Sequence, residues 1–99
     1  MRTLEKVDEF RREAKNAIFT KQQAVAVTLN LLDAERRCEK NTEEEMRILT
    51  EAMHKITFRY LDTTESETDA MLDSLGVARL TVDDIVEAID AVLFDCRMN

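Results

Sequence analysis

Proline is absent from the 99 residues of this chain and glycine occurs once, at Gly76. A sheet domain of that length needs several tight turns. Those turns draw on glycine, proline and Asn-Gly pairs to reach backbone angles that other residues resist. None of that chemistry is present. The residues that remain abundant, Ala, Leu, Glu, Lys, Arg and Met, are good helix formers. The expected fold is therefore all-α: a small bundle of four to five helices in one domain spanning residues 1–99.

Apolar periodicity and capping signals divide the chain. Leu4, Val7, Phe10, Ala14, Ala17 and Ile18 recur at helical spacing and give a first helix with one apolar stripe. Thr20 followed by Gln23 is a capping box, which starts a second helix, although no Gly or Pro enforces a break before it. The second helix runs to about Lys40 and is apolar on two sides. Ala24, Val27, Leu31, Ala34 and Cys38 form one stripe, and Val25, Leu29 and Leu32 form another. A helix of that kind is either central in a bundle or shared between the core and a partner. Val25, Leu29 and Leu32 are thus the expected seam of a homodimer.

Thr42 with Glu45 opens a third helix, with Glu43 and Glu44 at the positive end of its dipole. Met46, Leu49, Met53, Ile56 and Tyr60 alternate three- and four-residue steps, a heptad-like seam. The short turn before it predicts an antiparallel hairpin with the second helix. Thr64 and Glu67 form a further box, ahead of a short helix carrying Ala70, Met71, Leu72 and Leu75. Gly76 stands where a helix end favours a left-handed residue. Thr81 with Asp84 starts the last helix, with Leu80 and Ile85 spaced as a hydrophobic staple. Val82, Ile85, Val86, Ile89, Val92, Leu93 and Cys96 face inward on it. No internal repeat is visible in the sequence.

The formal net charge is −7, and bases are interleaved with acids, as in Glu35-Arg36-Arg37 and Glu39-Lys40. A surface of that sign repels nucleic acid and anionic membranes. No segment approaches the apolar length of a membrane span, and the first ten residues carry no leader-like apolar run. A cytoplasmic protein with Cys38 and Cys96 reduced is the expectation.

Three constellations could carry function. Glu51 and His54 have the Glu-x-x-His spacing of half a di-metal site, but both fall off the expected inner face of the third helix. Residues 72–90 hold Gly76, Val77, Thr81, Val82 and Ile85 in a spacing that resembles the helix-turn-helix of bacterial repressors, in which the glycine makes the turn and the valines pack the two helices. That resemblance implies a transcription regulator. It departs from the pattern at the recognition helix, which here presents Asp83, Asp84, Glu87 and Asp90 to a phosphate backbone that would repel them. The third constellation is that acidic face itself. Asp83, Asp84, Glu87, Asp90 and Asp95 share it with Phe94, an aromatic among carboxylates suited to a basic, partly apolar protein surface. Such a face can imitate the charge of nucleic acid and block a nucleic-acid-binding protein.

Other chemistries lack their residues. The acidic run 62–69 has no central glycine for a calcium loop. No Gly-rich phosphate loop occurs, and one histidine with inward cysteines leaves little for acid–base or nucleophilic catalysis. The sequence thus points to a non-enzymatic regulator or inhibitor without cofactor, acting on a protein partner. Phage and mobile-element inhibitors, secretion chaperones and antitoxins are small acidic helical proteins of this class. A helix-turn-helix regulator is the alternative, and a metal-binding helical protein using Glu51 and His54 is the third reading.

Overall fold

A computed structural model describes residues 4–60 and 67–98, with the side chains of residues 59 and 60 outside that description. Five α-helices dominate it: α1 Glu5–Glu13, α2 Lys21–Arg36, α3 Glu43–Lys55, α4 Glu67–Ser74 and α5 Val82–Met98. Of the described residues 76% are helical, and the fold is a small all-α bundle. A π-helical turn, Ile56–Tyr60, continues α3. Two strands of two residues each, β1 Ile18–Phe19 and β2 Leu80–Thr81, form an antiparallel ladder with Ile18 opposite Thr81 and Phe19 opposite Leu80.

The capping chemistry is realised where the residues are described. The Thr20 N–H donates to Gln23 Oε1 at 3.0 Å, and the Gln23 N–H donates to Thr20 Oγ1 at 3.1 Å. Thr42 and Glu45 start α3 in the same reciprocal way. At α5 the Asp84 N–H donates to Thr81 Oγ1 and the Thr81 N–H to an Asp84 carboxylate oxygen. Gly76 takes a φ of 70°. Its N–H donates to the Asp73 carbonyl and the Val77 N–H to the Leu72 carbonyl, the paired bonds that close a helix with a left-handed residue. The expected box at Thr64 and Glu67 lies outside the described residues.

The first two helices are separate. α1 stops at Glu13, and the chain enters β1 before α2. Strand alternation then turns Ile18 outward, 58% exposed, and Phe19 inward, its ring 6.0 Å from that of Phe10. Ile18 therefore does not belong to the inner stripe of α1. Val7 is buried, with Leu4, Phe10, Ala14 and Ala17 packed against the core.

α5 buries Val82, Ile85, Val86, Ile89, Val92, Leu93 and Cys96, the full inward set read from its spacing. α3 differs. It lies between α2 and α5 and buries Ile48, Leu49, Ala52 and Ile56, while Met46 is 46% exposed and Met53 only half-buried. Met53 still packs against the core, so the inner face is displaced toward Ile48 and Ala52 and leaves Met46 at its edge. Tyr60, the last expected seam residue, has no described side chain. α2 turns a third face inward, between its two apolar stripes: Ala24, Thr28, Leu32 and Glu35 are buried. α4 buries no residue, with Met71 and Leu75 exposed and Ala70 also outward. Arg79 holds it by ion pairs to Asp69 and Asp73.

Candidate functional site

α5 has two faces of opposite character. Its inner face fills the core, and that fixes the helix rotation and leaves the outer face to solvent. Asp83, Asp84, Glu87, Asp90 and Ala91 are exposed there, and Phe94 is 62% exposed. Asp95 is half-buried and already engaged within the chain. The structure therefore keeps the acidic residues and the aromatic on one exposed side, with Asp95 at its margin.

The carboxylates do different work. Asp84 completes the cap of α5 through its bond from the Thr81 N–H, 2.8 Å long. Asp83 approaches Arg11 at 3.8 Å, a loose and mostly exposed pair. Glu87 and Asp90 have no internal partner among the described residues. The apolar part extends beyond Phe94. Met98, one helical turn further on, is 71% exposed, so Ala91, Phe94 and Met98 form a strip at helical spacing. The sequence signal for Met98 is its four-residue offset from Phe94. A strip of this kind beside free carboxylates can bury apolar area against a partner and set its orientation by charge.

The expected dimer seam is only partly on the surface. Leu32 is 0% exposed, so it has no area to offer a second copy. Core packing takes it because it stands one turn after Thr28 on the buried line. Val25 and Leu29 are half-buried and remain at the helix flank.

Glu51 and His54 border one surface pocket of α3 and do not enter the bundle interior. With the inner face of α3 turned toward Ile48 and Ala52, His54 is exposed and Glu51 is half-buried. Arg47 donates to Glu51 at 2.9 Å, and Lys55 lies 3.8 Å from its other oxygen. Cationic side chains thus hold this carboxylate. Arg47 also bonds both oxygens of Glu44, and its hydrogen bonds hold the Glu44 carboxyl below the usual carboxylate range. No group of three or more His, Cys, Asp or Glu placed to hold a metal occurs among the described residues.

The repressor-like segment takes another shape. A helix-turn-helix joins its helices by a turn of three to four residues. Here α4 ends at Ser74, α5 begins at Val82, and β2 lies between them. Val77, expected to pack the two helices together, is 39% exposed. The thiols are free, Cys38 half-buried and Cys96 fully buried, and burial pushes the Cys96 thiol up. No helix among the described residues is long and apolar enough to cross a membrane.

One buried polar residue carries no signal in the sequence. Glu35 is 1% exposed, and its Oε1 accepts the Lys6 N–H at 2.6 Å. The N-cap of α1, Leu4, has no side chain to accept from the first turn, so a carboxylate from α2 supplies the missing acceptor. Asn41 completes this corner by donating to the Glu35 and Arg36 carbonyls at 2.6 and 2.9 Å. In the sequence Glu35 stands in a run of charges and reads as surface.

No family model, no curated protein and no solved structure matches this chain.

Proposed function

We propose that this protein is a non-enzymatic regulator or inhibitor that binds a basic protein through the outer face of α5. The supporting observation is the exposed strip Ala91, Phe94 and Met98 beside Glu87 and Asp90, carboxylates with no internal partner among the described residues. A contiguous apolar strip rimmed by polar residues is the kind of surface that serves a protein–protein contact. The charge excess of the chain, −7, would speed encounter with a basic surface and weaken with salt. A nucleic-acid-binding protein in the cytoplasm is the kind of partner that fits.

The test is affinity capture from the native host, repeated with Glu87→Lys, Asp90→Lys and Phe94→Ala combined. Asp84 is left intact because it caps α5. The expected result is a basic partner released by salt and bound at least about tenfold more weakly by the variant. Equal capture by a variant with unchanged helicity would refute the reading.

A further inference from the structure

At its first turn, α5 borders a concavity of the opposite sign. Arg11 and Arg12 line it from the end of α1, Lys15 and Asn16 from the turn that follows, and Val82 and Asp83 from the start of α5. The lining carries three cations and one carboxylate, a local charge of +2 on a chain of −7. Its volume is 530 Å³, within the range of small-molecule sites.

The other described arginines are engaged. Arg36 and Arg37 hold Asp33, Arg47 holds Glu44 and Glu51, and Arg79 holds Asp69 and Asp73. Arg12 and Lys15 have no ion pair among the described residues. Among the described residues Arg11 reaches only Asp83, with both side chains more than half exposed, a pair that exchanges readily. Basic residues at a helix end complement its dipole. That accounts for Arg11 and Arg12 in the last turn of α1, but not for Lys15 beyond it or for a groove they share against the positive end of another helix.

We propose that this groove binds the phosphate dianion of a small phosphomonoester. Guanidinium forks match phosphate oxygens in charge and geometry, and a dianion balances the lining. The adjoining surface of α5 is acidic at Asp84 and Glu87, which restricts the ligand to a small molecule, because a polymeric phosphate backbone would meet those carboxylates. On binding, the phosphate takes Arg11 from Asp83.

The experiment is an amide chemical-shift titration of the whole chain with adenosine monophosphate and, separately, inorganic phosphate, at constant ionic strength. Saturable shifts confined to residues 11–17 and 82–84 are expected, with the ester bound more tightly. Arg12→Ala with Lys15→Ala should weaken binding at least about tenfold. Asp83→Asn should tighten it, about threefold, by freeing Arg11 and removing the competing carboxylate. Arg37→Ala, away from the groove, should leave it unchanged. Equal affinity for inorganic phosphate would overturn the ester as ligand. Shifts spread over the basic residues at large, or affinities indifferent to Arg12, Lys15 and Asp83, would overturn the site.

Discussion

α2 and α5 are built alike at their starts and differently along their length. Each follows a two-residue strand, each is capped by a threonine in a reciprocal box, and they run 16 and 17 residues. α5 then buries seven residues, all apolar. α2 buries four, and two of them are Thr28 and Glu35. Thr28 satisfies itself within its own helix, its hydroxyl donating to the Ala24 carbonyl at 2.7 Å. Glu35 instead reaches a neighbouring element and accepts the Lys6 N–H. The difference separates two tasks. A continuous apolar face supplies cohesion, which is non-directional and proportional to area. A buried carboxylate with a backbone donor supplies placement, because it is satisfied only when α1 starts in one position.

The largest expected effect comes from the cohesive helix. Leu93→Ala, at a site 2% exposed, should cost about 2–5 kcal/mol in denaturant unfolding. The same truncation at half-buried Leu29 should cost clearly less. Equal losses would erase the contrast between the two helices.

Glu35 sharpens it next. Glu35→Ala should cost about 1–3 kcal/mol, since the Lys6 N–H loses its acceptor. Amide exchange at Lys6 should rise with it, while the centre of α5 keeps its protection. Glu35→Gln keeps an acceptor oxygen and should recover part of the loss. A uniform rise in exchange across the protein would show that Glu35 serves the core at large rather than the start of α1.

The smallest effect tests what the two helices share. Thr20→Ala and Thr81→Ala should each cost about 1 kcal/mol in the same unfolding measurement. A clear inequality would mean that the equivalent boxes carry unequal weight, with the ladder beside them compensating on one side.

Much of this architecture is legible in the order of the amino acids. The inward set on α5 and the boxes at Thr20, Thr42 and Thr81 are visible there because each depends on residues within a turn or two of one another. The α3 seam is legible only in part: its three- and four-residue spacing finds buried Leu49 and Ile56 and half-buried Met53, but it also places Met46 inside. Packing between two neighbours instead rewards Ile48 and the small Ala52. The ladder is invisible because two-residue strands leave no periodicity, and Phe19 finds Leu80 only in the folded chain. The acidic face can be read as a line of charges. That Asp83 also borders a basic groove cannot, because Arg12 and Lys15 meet it from the other end of the sequence.

The sequence by itself determined helicity, most helix boundaries and the inward side of α5. These rest on hydrogen bonds between residues three positions apart and on apolar spacing along one element, both local. The tertiary structure alone decided the rotation of α3, the burial of Leu32, the pairing of β1 with β2 and the burial of Glu35 beneath the start of α1. Each of those outcomes turns on a partner far along the chain, and burial depends on which surfaces meet.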